Sequence, residues 1–251
     1  MTPLLRGKMA LYRLFVRCGW VRGAFAGLRR LRDGGSVGSL AHLAIFDPHK
    51  IGPVQPDEAL LLYALARMIR PRVIVEFGFN RGHSALNFAL ACPDAKVISY
   101  DIGEFPETVA RRCLGPLPNF RFFRKSQTEF DPADAGNEPL DLVFIDAAHD
   151  LEINRETFRR IVPHLAPGAV VAVHDTGVWD KAHFTAAHRE FAALAPESWL
   201  DERRFQHQRD ERLFVNWIGE AYPDFALLHL GTERVLRHGI TLLQRTAPLL
   251  T

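Results

Sequence analysis

The sequence contains little cysteine and lacks long apolar runs. Cys18, Cys92 and Cys113 are too few and too widely spaced for a disulfide scaffold or for a zinc site built on cysteine pairs. No apolar run approaches the roughly 20 residues that span a bilayer, and the sequence predicts no signal peptide. We therefore expect a cytoplasmic protein in a reducing compartment.

Acidic residues are absent before Asp33, although the chain as a whole is nearly balanced, with a formal net charge of +2 and a pI near 8.5. This balance gives no argument for nucleic acid or an anionic surface as the partner. The basic residues of the start are Arg6, Lys8, Arg13, Arg17, Arg22, Arg29, Arg30 and Arg32. We expect residues 1–50 to form a basic helical segment that packs on the domain or on a second subunit, which would give a homodimer. Peripheral membrane contact or targeting is the alternative.

Short apolar runs alternate with helical stretches along the rest of the chain. The predicted strands are Val73–Val75, Lys96–Tyr100, Phe120–Phe123, Leu140–Ile145 and Ala169–Val173. Strands separated by helices imply a parallel sheet built from right-handed crossovers. Two further apolar runs, Phe225–Leu230 and Gly239–Gln244, are close enough to pair as a terminal hairpin-like edge. We therefore expect one α/β domain over residues 51–251.

A polar stretch, Arg203 to Arg212, precedes these last two runs. Part of it could line the acceptor pocket, but we expect most of it to be solvated surface. A helix is predicted after it, around Leu213 to Ala221.

The stretch Val73 to Ser84, VIVEFGFNRGHS, begins as a buried strand and turns through two glycines at a carboxylate. Such a turn between a strand and a helix usually binds a nucleotide-like ligand. Glu76 would repel a pyrophosphate but favour a ligand with a sulfonium, an ammonium and an adenosine without phosphate. Asp101 ends the neighbouring strand 25 residues later, where a carboxylate can accept hydrogen bonds from both ribose hydroxyls. The pattern predicts S-adenosylmethionine as the cofactor.

The motifs VEFGFNRGHS, FIDAAHD and LAPGAVVAVHDT together resemble those of class I S-adenosylmethionine-dependent methyltransferases. Within that superfamily the chain is similar to a bacterial small-molecule O-methyltransferase group. The group includes macrocin-type sugar methyltransferases, cephalosporin-hydroxylase-like proteins and distant relatives of catechol O-methyltransferase. The resemblance implies a Rossmann-like, doubly wound, mostly parallel seven-stranded sheet with an antiparallel last strand, preceded by N-terminal helices.

The resemblance also implies a set of cofactor-binding residues. Glu76, Gly78 and Gly82 would shape the methionine end of the pocket. Asn80 and Ser84 of the same turn and helix start are counted with them, although Asn80 departs from the glycine or small residue that many relatives have. Asp101 would hold the ribose. Ser126 and Gln127, just after the third strand, would lie near the adenine, and Asp146 completes the set.

Asp146, His174 and Asp175 lie at the ends of adjacent predicted strands, facing the expected place of the methyl group. In the metal-dependent relatives that the chain resembles, these positions hold a divalent ion. Oxygen ligands suit magnesium, and the ion would orient the acceptor hydroxyl and lower its pKa. The imidazole of His174 is a less typical magnesium ligand and tolerates manganese, iron or zinc better. We therefore predict a metal site of these three residues that takes magnesium or manganese.

A second mechanism needs no metal. His149, three residues after Asp146, or His174 could take the acceptor's proton directly, because the imidazole pKa lies near neutrality. The predicted catalytic residues are therefore Asp146, His149 and His174. The alternative for His149 is structural, as a cap of the helix that begins near Leu151.

We expect an O-methyltransferase that acts on a small hydroxylated metabolite of sugar or natural-product type. Amino-group methylation of adenine uses an Asp/Asn-Pro-Pro-aromatic turn, whereas this chain has Asp146-Ala-Ala-His149 there. A cysteine nucleophile for base methylation would need Pro-Cys at the same turn, so nucleic acid is disfavoured as a substrate. RNA methylation and a non-catalytic, cofactor-binding or membrane-associated scaffold are the alternatives.

Overall fold

The computed structural model describes residue 54 and residues 56–177, 202–230 and 239–246, apart from the side chains of residues 56 and 202–208. The predicted basic segment, residues 1–50, lies outside these described residues, as do the dimer and membrane contacts assigned to it. Of the helices within the described ranges, none is long and apolar enough to cross a membrane.

Seven strands form one sheet in the order β3-β2-β1-β4-β5-β7-β6. Their bounds are Val73–Phe77 for β1, Lys96–Tyr100 for β2, Phe120–Phe123 for β3, Leu140–Ile145 for β4, Leu165–Val173 for β5, Phe225–Leu230 for β6 and Ile240–Arg245 for β7. The first five strands pair in parallel. Strand β7 runs antiparallel to both β5 and β6. The predicted Rossmann-like sheet is confirmed, including the pairing of the two terminal apolar runs.

The ends of the central strands determine where the candidate site lies. Strands β1, β4 and β5 are rich in buried apolar residues, as expected for parallel strands covered on both faces. Side chains alternate along β1, so Val73, Val75 and Phe77 enter one core cluster while Glu76 points to the other face. Because parallel strands end at the same edge, the residues that follow β1, β2, β4 and β5 meet there.

Within the described ranges five α-helices accompany the sheet, and two of them were not expected with these bounds. Their bounds are Pro56–Ile69 for α1, His83–Ala91 for α2, Glu104–Val109 for α3, Leu151–Ile161 for α4 and Glu202–Ala221 for α5. Helix α3, continued by a π-helical turn over Ala110–Leu114, was not predicted because it has no buried residue and so no apolar repeat. Helix α5 begins at Glu202, well before the predicted start at Leu213. The polar stretch Arg203 to Arg212 therefore belongs to this helix.

Candidate functional site

The turn after β1 passes very close to the loop after β4. Gly78 has a φ of +97°, and a Cβ placed on it would lie 2.0 Å from the carbonyl oxygen of Asp146. The backbone N–H of Asp146 donates to the carbonyl of Phe77 at 2.8 Å, which fixes this approach. A side chain at position 78 would collide with backbone rather than with a flexible group. Gly78 is therefore required by the contact between the two loops, whatever part it has in binding a ligand.

Two more left-handed residues complete the first turn. Asn80 has a φ of +46°, a region that asparagine tolerates better than most residues. Gly82, at the N-terminus of α2, has a φ of +74°, and a Cβ there would lie 2.4 Å from the Phe79 ring. The backbone conformation and the packing against Phe79 thus explain the shape of the turn without a ligand. The assignment of Asn80 and Gly82 to the cofactor pocket stays a prediction.

Glu76 is a fully buried carboxylate on the inner strand β1. Ser99 pairs with it across the β1–β2 ladder and donates its hydroxyl to Oε2 at 2.5 Å. Burial raises the pKa of Glu76 from 4.5 to about 7, and the hydroxyls of Ser84 and Ser99 only partly offset that effect. The other oxygen, Oε1, is buried and has no hydrogen-bond partner among the described residues. A cationic group placed beside this oxygen would favour the ionised carboxylate.

Asp101, at the end of β2, is held by the backbone. Its Oδ2 accepts from the N–H of Asn80 and its Oδ1 from the N–H of Gly103, each at 2.9 Å. The side chain is partly exposed, so each oxygen keeps lone-pair capacity towards solvent. A carboxylate fixed in this way can accept from two neighbouring hydroxyls without losing side-chain entropy when they bind.

The side chain of Gln127 turns inward, away from the role predicted for it. It is buried, and its Nε2 donates to Asn154 Oδ1 at 2.8 Å and to Thr157 Oγ1 at 2.9 Å. Its Oε1 accepts from the N–H of Ala148 at 3.1 Å. With both amide protons used inside the protein, Gln127 has no donor left for an adenine. The hydroxyl of Ser126 accepts from the N–H of Thr128 at 3.3 Å, and the placement of Ser126 and Gln127 near the adenine stays a prediction.

His174 is buried between carboxylates. Its Nε2 lies 2.9 Å from Glu58 Oε2 and its Nδ1 lies 3.1 Å from Asp146 Oδ1. Burial opposes protonation, but Asp146, Glu58 and Asp175 outweigh it and raise the pKa of His174 well above its ordinary value. An imidazolium can neither accept a proton nor bind a metal. The predicted roles of His174 as base and metal ligand would therefore require the loss of this proton, and they stay predictions.

The predicted residues Asp146, His174 and Asp175 do meet. Nδ1 of His174 lies 3.1 Å from Asp146 Oδ1 and 3.4 Å from Asp175 Oδ1. The structure also brings His149 to the two acids. One ligand atom each of Asp146, His149 and Asp175 lies within 4.8 Å of the others, so these three could hold a cation.

The Nε2 of His149 is 3.7 Å from Asp146 Oδ1, and its Nδ1 is 2.8 Å from Glu211 Oε1. Burial opposes protonation of this ring too, but Glu211, Asp175 and Asp146 raise the pKa of His149 above its ordinary value. The helix that follows is capped by Asp150, whose carboxylate accepts from two backbone N–H groups. The capping role considered for His149 therefore belongs to its neighbour.

Sequence reasoning missed two acids at this site, Glu58 and Glu211. Glu58 lies in the first turn of α1, and no sequence pattern links it to His174. Glu211 is fully buried and had a detectable signal. It precedes buried Phe214, Val215 and Ile218 at helical spacings of three, four and seven, which places it on the inner face of α5.

Residues 75–176 match a family described as a methyltransferase domain. The chain is 28% identical over 152 residues to catechol O-methyltransferase domain-containing protein 1 of Mus musculus, a match covering 58% of this chain and 57% of that protein. It is 27% identical over 205 residues to uncharacterized protein y4gI of Sinorhizobium fredii, covering 76% of this chain and 22% of that protein. The chain thus spans less than two thirds of the length of these two relatives.

A solved structure supports the same family. The O-methyltransferase TomG from Streptomyces achromogenes, which is involved in tomaymycin synthesis, was crystallised with S-adenosylmethionine. It is 25% identical to this chain with a TM-score of 0.55, over 78% of this chain and 82% of TomG. Residues 75–176 therefore match a methyltransferase domain, and the chain is similar in sequence and fold to an O-methyltransferase that was crystallised with S-adenosylmethionine.

Proposed function

We propose that the chain transfers a methyl group from S-adenosylmethionine to a hydroxyl of a small metabolite. The observation that carries the proposal is the pair of carboxylates that β1 and β2 bring to one edge of the sheet. Glu76 offers a buried oxygen with no hydrogen-bond partner in the described part of the chain, which suits the ammonium of the cofactor. Asp101, fixed by two backbone N–H groups, suits the ribose hydroxyls.

The protein's task in this reaction is to align the acceptor and to remove its proton. The cofactor supplies an activated methyl group on a sulfonium. Held by Glu76 and Asp101, the cofactor would supply this methyl group to the acceptor oxygen, and the electron pair of the carbon–sulfur bond would leave on sulfur. The hydroxyl proton passes to Nε2 of His149, which Asp146 faces at 3.7 Å. Alignment of this kind supplies up to about 7–11 kcal/mol, and a positioned base adds roughly 10²- to 10⁴-fold in rate.

A divalent cation is the alternative means of handling the proton. Asp146, His149 and Asp175 would hold it, and their mixed oxygen and nitrogen donors suit manganese, iron or zinc as well as magnesium. When bound, such an ion would lower the pKa of the acceptor hydroxyl and orient it. This set stands beside the predicted one of Asp146, His174 and Asp175, in which both ring nitrogens of His174 already lie against carboxylates.

The acceptor class is inferred from the relatives. TomG acts in the synthesis of tomaymycin, and the mouse relative carries a catechol O-methyltransferase domain, which supports a natural-product or similar small hydroxylated molecule. The cytoplasmic location, the homodimer and the membrane contact of residues 1–50 belong to the same proposal and await their own tests.

Calorimetric titration with S-adenosylhomocysteine tests the proposal most directly. We expect micromolar binding that Asp101→Ala weakens at least tenfold, since two hydrogen bonds to a charged group are lost. Asp94→Ala, an exposed carboxylate before β2, is the matched control and should leave the affinity unchanged. Repeating the titration with magnesium, manganese and a chelator separates the metal mechanism from the histidine mechanism. Absence of binding under every condition would make the scaffold alternative the leading one.

A further inference from the structure

We propose that Glu211 is a positioning residue that holds His149 in one tautomer, with the proton on Nδ1 and Nε2 unprotonated towards Asp146 and Asp175. The catalytic consequence rests on the proposed function, because His149 matters to methyl transfer only if the site performs it. The structural claim about the ring stands on its own contacts.

The first contact is the hydrogen bond between the two side chains. Nδ1 of His149 lies 2.8 Å from Oε1 of Glu211, which has no solvent exposure. The opposite ring nitrogen faces Asp146 Oδ1 at 3.7 Å. Glu211 belongs to α5 and His149 to the loop after β4, 62 residues earlier. A helix distant in sequence thus fixes the orientation of the ring.

A chain of hydrogen bonds indicates which atom donates and which accepts between His149 and Glu211. The backbone N–H of Ala148 can only donate, so Oε1 of Gln127 accepts from it. The Nε2 of Gln127 must then donate to Asn154 Oδ1. The Nδ2 of Asn154 is then left to donate to Glu211 Oε2 at 3.0 Å. The carboxylate of Glu211 therefore acts as an acceptor. Burial raises the pKa of Glu211, whereas the hydrogen bonds to His149 and Asn154 favour its ionised form. In that form the second oxygen accepts from the N–H on Nδ1 of His149.

This chain closes on itself, which makes the tautomer hard to reverse. It starts at the backbone of Ala148 and ends at the side chain of His149, the next residue. Flipping the amide of Gln127 would set its N–H₂ against the N–H of Ala148, and flipping Asn154 would set two donors against each other. Each reversal leaves a buried polar group unsatisfied, at a cost of about 1–3 kcal/mol. The network therefore acts as an orienting partner of the kind that fixes ligating or catalytic histidines.

Nitrogen NMR of the full chain with ¹⁵N-labelled histidine tests the tautomer directly. The His149 signals are identified by their loss in His149→Gln. At a pH where the ring is neutral, we expect Nδ1 to show the shift of a protonated nitrogen and Nε2 that of an unprotonated one. In Glu211→Gln, which can accept only one of its two hydrogen bonds, the preference should be lost or reversed. A wild-type spectrum dominated by the Nε2–H tautomer would overturn the proposal.

Binding and turnover complete the test. Glu211→Gln should bind S-adenosylhomocysteine with unchanged affinity and lose about tenfold to a hundredfold in kcat with little change in the KM for S-adenosylmethionine. Glu220→Gln, an exposed acid on the same helix, should change neither the spectrum nor kcat. An equal kcat in Glu211→Gln and wild type would refute the positioning role. If the wild type showed the expected tautomer but transferred no methyl group, the proposed function would be refuted. The structural claim about the His149 ring would still stand.

Discussion

Nε2 of His174 lies 2.9 Å from Oε2 of Glu58, so a carboxylate on α1 closes a buried ion pair with a residue 116 positions later in the chain. The second oxygen of Glu58 accepts from the backbone N–H of Gly239 at 3.1 Å. One acid thus joins α1, the end of β5 and the start of β7. This pair stabilises the far side of the site and keeps His174 protonated.

Removing that acid should destabilise the fold. In Glu58→Ala the imidazolium keeps Asp146 and Asp175 but loses the carboxylate beside Nε2, and the N–H of Gly239 loses its acceptor. We expect a loss of about 3–5 kcal/mol in the free energy of unfolding, measured by urea denaturation. Glu156→Ala, an exposed acid on α4, should change it by less than about 0.5 kcal/mol. Equal midpoints for the two variants would show that the buried pair contributes nothing.

Glu76→Gln should make the protein more stable at high pH than the wild type. The folded-state pKa of Glu76, about 7, lies above its ordinary 4.5, so its favourable contribution is complete below pH 4.5 and is lost as the pH rises through 7. The difference corresponds to about 3 kcal/mol, which the neutral glutamine does not lose. Urea unfolding at about pH 5 and about pH 9 should therefore show a gap between variant and wild type only at the higher pH.

The exposed residue Glu156 supplies the control for that measurement. Glu156→Gln should give the same stability as wild type at both pH values. A pH-independent gap for Glu76→Gln would mean that packing around the amide, not ionisation, causes the change.

Gly78→Ala should cost far more than Gly168→Ala. Both glycines have a positive φ, but a Cβ at position 78 meets the Asp146 carbonyl at 2.0 Å, whereas one at position 168 meets nothing within 4 Å. We expect about 1 kcal/mol at position 168 from the backbone conformation alone, and more than about 3 kcal/mol at position 78. Thermal or urea unfolding measures both. Similar losses at the two positions would contradict the close approach of the two loops.

Asp146→Asn should abolish methyl transfer while leaving the affinity for S-adenosylhomocysteine within about threefold. Asparagine keeps the shape of the side chain beside His174 and His149 but removes the negative charge that both rings face. Methyl transfer to a panel of small hydroxylated acceptors and calorimetry on the same preparation measure the two effects. Full activity in this variant would remove Asp146 from the reacting centre.

The sheet could be predicted from sequence because its cause is local. Buried parallel strands need continuous apolar runs, and those runs are visible in β1, β4 and β5, as are the acids that end them. Helix α3 could not be predicted, since it buries no side chain and so leaves no period in the sequence.

The contacts of the site depend on tertiary structure and were only partly accessible. Asp101 and Asp146 follow directly from the strand ends. The partner of His174 comes from α1, 116 residues away, and that of His149 from α5, 62 residues away, so no local pattern links either pair. The inward turn of Gln127 has the same origin, because its partners lie on α4 and in the loop before it.

The position of β7 has a consequence for the order in which the chain can assemble during synthesis. Strand β6 is translated before β7 but meets the sheet through it, since β7 lies between β5 and β6. Until residues 240–245 have left the ribosome, β6 has no partner among the described strands. The edge of β5 that later pairs with β7 also stays unpaired. A nascent chain at that stage exposes hydrogen-bonding strand edges of the kind that attract other chains. Insertion of this one strand closes both edges and carries Gly239 to Glu58 in the same step.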